Sequence, residues 1–140
     1  MHRVSIRFRV DLGKACSVGP GKIALLEAIA RTGSLSQAAR ELGMSYRRGW
    51  LLLDSLNSSF RRLVVALSKG GRGGGGAILT PFGKSLVAAY RELEAGLLAR
   101  ARSALAGIAR EAVAAVAADV RRRPLKKTAS PRRSRASRPA

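Results

Sequence analysis

SLSQAARELGMSYRRGW, residues 34–50, is the stretch on which the fold turns. It begins Ser34-Leu35-Ser36-Gln37, a capping-box pattern in which a hydroxyl and an amide side chain satisfy backbone donors at a helix start. A short helix is expected to run to Leu42 and to stop at Gly43 as a left-handed cap, with Ser45 as N-cap of the next helix. Two helices joined by so tight a turn predict a helix-turn-helix. Ala39, small where the two helices would touch, agrees with that reading. Gly49 is the discordant residue, since glycine inside a helix costs about 1 kcal/mol relative to alanine.

Working outward, the third helix of the chain, residues 46–61, sets Gly49, Trp50, Leu53, Leu56 and Phe60 on one apolar face, which predicts Trp50 in the core. Upstream, Gly19-Pro20 opens a helix carrying Ile23, Leu26, Ile29 and Ala30 at helical spacing as far as Gly33. Ahead of it, Val4, Ile6, Phe8, Val10 and Leu12 alternate with polar residues over 3–12, the period-2 pattern of a half-buried strand. Downstream, residues 63–67 and 77–79 read as the strands of a hairpin whose tip, SKGGRGGGG (68–76), permits almost any backbone path. Thr80 and Pro81 then open a long helix expected to reach Val120, striped by Phe82, Leu86, Tyr90, Leu93 and Leu97 and continuing through Leu105 and Ile108. Such a helix would run roughly 60 Å, longer than one small domain covers, so a second copy is expected to bury it. The order of elements predicts a mainly α fold with a small β component: a winged helix-turn-helix over 1–80, a dimerisation helix over 81–120 and a basic tail over 121–140 that cannot offset the entropy of ordering.

Charge narrows the function. Lys and Arg number 27 against 8 Asp and Glu in 140 residues, a formal net charge of +19, and nine of those cations lie within 121–140 with no acid. An imbalance of this size calls for a polyanionic partner, and double-stranded DNA is the leading candidate. One His and one Cys exclude a soft-ligand metal centre and a Cys/His dyad, so neither cofactor nor enzymatic activity is expected. Cys16 has no partner for a disulfide and agrees with a reducing compartment. No apolar run has the roughly 18 residues a spanning helix needs, which predicts a cytoplasmic protein without a membrane partner. The alanine content of the long helix likewise speaks for dimerisation rather than for lying on a membrane surface.

The candidate DNA contacts are Ser34, Ser36, Gln37, Ser45, Tyr46, Arg47, Arg48, Lys69 and Arg72. Ser45, Tyr46, Arg47 and Arg48 combine the positive end of a helix with donors suited to phosphate or guanine, one arginine reading a base while the other holds the backbone; which does which stays open. Tyr46 is read equally as a packing residue. Ser34, Ser36 and Gln37 either donate to phosphate or are spent on capping. Arg72, among glycines and helped by Lys69, suits insertion into a minor groove. The tip also spells GxGxxG over 71–76, but it joins two short strands and no GK[ST] follows, which excludes dinucleotide and P-loop readings.

GPGKIALLEAIARTGSLSQAARELGMSYRRGWLLLDSLN, with GGRGGGGAILTPFGKSLVAAYRELE after it, resembles the N-terminal DNA-binding domain of the ModE-type molybdate-responsive regulators, which are related to the LysR-like winged helices. The resemblance covers about residues 3–95. It implies a bacterial transcription regulator: a homodimer on a palindromic operator, the third helix in the major groove and the glycine-rich wing against backbone or minor groove. ModE proteins also carry oxyanion-binding modules with a Ser-Ala-Arg-Asn-Gln motif. That motif does not occur here, so the expectation is a regulator lacking the molybdate-binding domains, with no oxyanion site in this chain. The alternative reading of the same charge is a nucleoid-associated architectural protein with little sequence specificity.

Overall fold

A computed structural model describes residues 3–69 and 75–112. In chain order the elements are β1 (Val10–Asp11), β2 (Ser17–Val18), α1 (Pro20–Thr32), α2 (Leu35–Glu41), α3 (Tyr46–Ser59), β3 (Val65–Leu67), β4 (Ala77–Leu79) and α4 (Pro81–Ala109). The expected mainly α winged helix-turn-helix with a long following helix is the fold observed. β3 and β4 pair antiparallel with Val65 opposite Leu79, Ala66 opposite Ile78 and Leu67 opposite Ala77. β1 and β2 form a separate short hairpin.

α1 is the centre of the core. Ile23, Leu25, Leu26, Ala28 and Ile29 are fully buried, joined by Leu35 and Ala38 from α2, Leu53 and Leu56 from α3, Val64, Val65 and Ala77 of the wing, and Tyr90. Each Leu or Ile side chain so buried is worth about 1.5–3 kcal/mol against leaving it in water. Ala30, expected on the buried stripe, is exposed, and Leu25 and Ala28 take its place. Lys22 fastens α1 to two neighbours by donating to the Ser17 carbonyl at 2.7 Å and to Ser55 Oγ at 3.2 Å.

The strand expected over 3–12 is corrected to β1 alone. Residues 3–9 have no ladder partner, although Val4, Ile6 and Phe8 are half-buried and the residues between them exposed, as the alternation predicted. Phe8 shows what replaces a neighbouring strand: its ring stacks on Tyr90 of α4 at 4.6 Å, nearly parallel, and the Tyr90 hydroxyl donates to the Phe8 carbonyl at 2.8 Å. Burial first, then the Glu94 carboxylate, raises the Tyr90 pKa above its ordinary value. The folded value therefore exceeds the unfolded one, and this contribution to stability is present below about pH 10 and lost as pH climbs through the raised value.

The long helix also differs from expectation, ending at Ala109 rather than Val120. Glu111 and Ala112 donate to the carbonyls of Ile108 and Ala109, a tightened i to i+3 turn, and residues 113–120 lie outside the described residues. The tail over 121–140 lies outside them as well. At its start α4 comes very close to the wing. Thr80 Oγ1 accepts from the Gly83 N–H at 3.0 Å and donates to the Leu63 carbonyl at 2.5 Å, while the Thr80 N–H donates to the Val64 carbonyl at 3.0 Å. A Cβ on Gly83 would sit 2.1 Å from that carbonyl oxygen. We expect Gly83→Ala to destabilise the domain by at least about 1–3 kcal/mol, because the obstacle is backbone and cannot rotate away. A urea midpoint unchanged from the parent would contradict this.

Candidate nucleic-acid interface

The turn is built from local chemistry. Gly33 adopts φ 67° and closes α1 by donating to the Ile29 carbonyl at 2.8 Å. Ser34 caps α2, its hydroxyl accepting from the Gln37 N–H at 3.2 Å. Only half of the expected capping box forms: the Ser34 N–H donates to Thr32 Oγ1 at 3.3 Å, so the Gln37 amide is not needed there. Gly43 has φ 67°, the left-handed turn expected of it. Ser45 then caps α3 by accepting from the Arg48 N–H at 3.1 Å.

The puzzle of Gly49 resolves at the helix crossing. A Cβ at this position would lie 3.1 Å from Ala39 Cβ and 3.5 Å from Leu35 Cδ1, so glycine lets α3 seat closely on α2. Helix propensity is exchanged here for approach. The far end of α3 is held by Asn57, which the sequence reading missed. Its Oδ1 accepts from the N–H groups of Val64 (2.8 Å) and Val65 (3.1 Å), while Nδ2 donates to the Val65 carbonyl at 3.1 Å. β4 is tied back to the turn by the Ala77 N–H, which donates to the Gly33 carbonyl at 2.9 Å. Helix-turn-helix and wing are thus one hydrogen-bonded frame.

Between them lies an open groove of about 650 Å³. Ser34, Ser36, Gln37, Tyr46 and Lys69 all line it, so five of the nine candidate contacts come together there. Arg40 lines it too and was not foreseen; it follows Ser36 and Gln37 by four and three residues, the spacing that puts all three on one face of α2. Ser45, Arg47 and Arg48 are exposed at the start of α3, outside the groove lining. Arg72 lies outside the described residues. Among the described residues no ion pair or hydrogen bond engages the charged ends of Arg40, Arg47, Arg48 or Lys69, and no acid lines the groove.

Trp50 corrects the sequence reading. It is 44% exposed and lines the groove rather than the core. At about 100° per residue it lies roughly 90° off the line through Gly49, Leu53 and Leu56, so the apolar spacing that seemed to include it was one step too generous. Tyr46 (59%) and Leu51 (51%) are exposed on the same helix. Phe60, just beyond the helix, is half-buried and meets Phe82 edge-on at 5.2 Å. Among the described residues no group of His, Cys, Asp or Glu could hold a metal ion, and no helix is long and apolar enough to cross a membrane.

These features define the class: a winged helix-turn-helix whose turn, third helix and wing surround a cation-rimmed groove. Residues 21–84 match the family described as bacterial regulatory helix-turn-helix protein, lysR family. The chain is 49% identical over 80 residues to the molybdenum-pterin-binding protein MopB of Rhodobacter capsulatus, an alignment covering 57% of this chain and 30% of that protein. It is 35% identical over 88 residues to the DNA-binding transcriptional dual regulator ModE of Escherichia coli K12, covering 63% of this chain and 34% of the relative. With the molybdenum transport protein ModE of Azotobacter vinelandii the figure is 38% over 92 residues, 66% and 34% of the two chains. The alignments thus span about a third of the length of these relatives.

The Asn57 clamp gives a prediction. Asn57→Ala leaves two N–H groups without their acceptor and should cost about 1–3 kcal/mol, with the amides of Val64 and Val65 losing hydrogen-exchange protection ahead of those in α1. Uniform protection loss across both elements would refute a local clamp.

Proposed function

We propose that this chain is a sequence-specific, double-stranded-DNA-binding transcription regulator of the ModE type, acting as a homodimer. The observation that carries the reading is the groove. It gathers hydroxyl, amide and cationic groups from α2, α3 and the wing, while Arg47 and Arg48 stand free beside it at a helix start. The net charge of +19 supplies the long-range attraction that phosphate requires, and relatives bearing the name of a DNA-binding regulator share this segment. In this reading Lys69, Arg40 and the hydroxyls hold phosphates, α3 enters the major groove, and Arg47 or Arg48 reads a base edge.

Dimerisation is supported by α4. Leu93, Leu105 and Ile108 are exposed along it, and an apolar depression formed by Val10, Leu12, Val18, Leu86 and Tyr90 continues that surface onto the N-terminal hairpin. A second copy covering it sets two α3 helices on one duplex, matching a palindromic site. The residues of 121–140, nine of them basic, add affinity for any duplex.

Selection of bound duplexes from a random pool, followed by competition at physiological salt, tests the reading. The selected site should bind at least about 10³-fold more tightly than unrelated duplex, and equal displacement by both would overturn it. Arg47→Ala or Arg48→Ala should cost about 1–3 kcal/mol at the selected site and relax preference at one base position. Lys69→Ala, or removal of 121–140, should weaken all sequences alike and flatten the salt dependence. We expect molybdate to leave the affinity of this chain for DNA unchanged, and a calorimetric shift on its addition would overturn that expectation.

A further inference from the structure

The outward face of α3 carries more apolar surface than the fold explains. Trp50 and Leu51 are both exposed, while Leu53 and Leu56 of the same helix are already committed to the core. A helical rise of about 100° per residue places Arg47, Trp50, Leu51 and Asp54 within one outward sector, with Arg48 turned about 60° or more away from it. Large apolar groups so placed gain nothing in water, and nothing among the described residues covers them.

We propose that Trp50 and Leu51 form an apolar reading surface for the 5-methyl groups of thymine in the major groove. This rests on the DNA-binding reading above and deepens it. The charge around the face supports DNA as the occupant: Arg40 and Lys69 rim the groove that Trp50 lines, and no carboxylate intrudes there. Asp54 argues that the outward face meets bases rather than backbone. It is exposed, and beside a phosphate its charge would be repelled, whereas a base edge offers it the amino group of cytosine. The thymine methyl is the one apolar group that base edges present in the major groove, so exposed tryptophan and leucine have a single chemical partner there. Direct readout by α3 is then divided, Arg47 supplying hydrogen bonds and Trp50 with Leu51 supplying contact.

The test replaces thymine with uracil, one position at a time, in the duplex selected by the full chain. Uracil keeps every hydrogen-bonding group and removes only the methyl. At one or two positions per half-site the parent should lose about fourfold in affinity, the worth of one buried methyl-sized group. Trp50→Ala or Leu51→Ala should weaken the thymine duplex and bind thymine and uracil duplexes equally at the position that residue touches. Both side chains are exposed, and Leu51→Ala provides a second, smaller perturbation. If the parent binds the selected site specifically yet ignores every uracil, the thymine proposal fails while the DNA-binding reading survives. If no duplex is preferred at all, the DNA-binding reading itself fails. Loss by Trp50→Ala in equal measure on selected and random duplex, with uracil sensitivity retained, would assign Trp50 to the sugar-phosphate backbone and overturn the proposal.

Discussion

The close seating of α3 on α2, where Gly49 passes Ala39, is the constraint from which the interface follows. A side chain on either residue larger than those present would push the helices apart, and the tight turn at Gly43 leaves no slack to absorb the change. Because Leu53 and Leu56 then lock the inward face against α1, the rotation of α3 about its own axis is set. That rotation alone determines that Arg47, Trp50 and Leu51 point outward. Packing inside the domain is therefore what aims the exposed chemistry, and Asn57 extends the same frame to the wing.

Much of this was legible in the sequence because it is written in local rules. The N-caps at Ser34, Ser45 and Thr80, the left-handed Gly43, and the strands ending at Leu67 and Leu79 depend on a few neighbouring residues each. What was not legible needs partners distant in the chain. Alternation over residues 3–9 was read correctly as two faces, but Phe8 on the apolar face meets Tyr90 of α4, 82 residues away, and the segment has no paired strand beside it. Asn57 carries no signal of its own, since an exposed-looking polar residue near a helix end is ordinary until β3 arrives beside it. Trp50 was misplaced by hydrophobicity itself. A large aromatic near an apolar stripe is assigned inward by default, whereas the inward line of α3 is already filled by Gly49, Leu53 and Leu56.

Affinity and selectivity separate physically on this surface. Free cations on α2, the start of α3 and the wing attract any duplex, and the entropy of released counterions makes that attraction steeply salt-dependent. The apolar sector of α3 contributes little at a distance and nothing to charge, so its value is realised only where a matching base edge fits against it. A domain with the first and without the second would be an architectural protein. The outward Trp50 and Leu51 are what a purely electrostatic binder has no use for, and they favour readout of sequence.

The geometry of α4 bears on how two such surfaces act together. Its first half is covered by the domain through Phe82, Leu86 and Tyr90. Arg91 then ties it to Glu27 of α1 as well as to Glu94, two carboxylates whose hydrogen bonds hold the guanidinium even more firmly charged than usual. Past that anchor the helix leaves the domain, and a 29-residue helix extends about 44 Å in all. In the proposed dimer, pairing would run along this emergent half, which contributes no residue to the core that seats α3. The separation of the two reading helices is then a property of a stiff element fixed at one end, and half-sites about one helical turn of DNA apart, roughly 34–36 Å, are what such a dimer would match. In the proposed dimer, rigidity in α4 would do for the pair of domains what the Gly49 crossing does within each one.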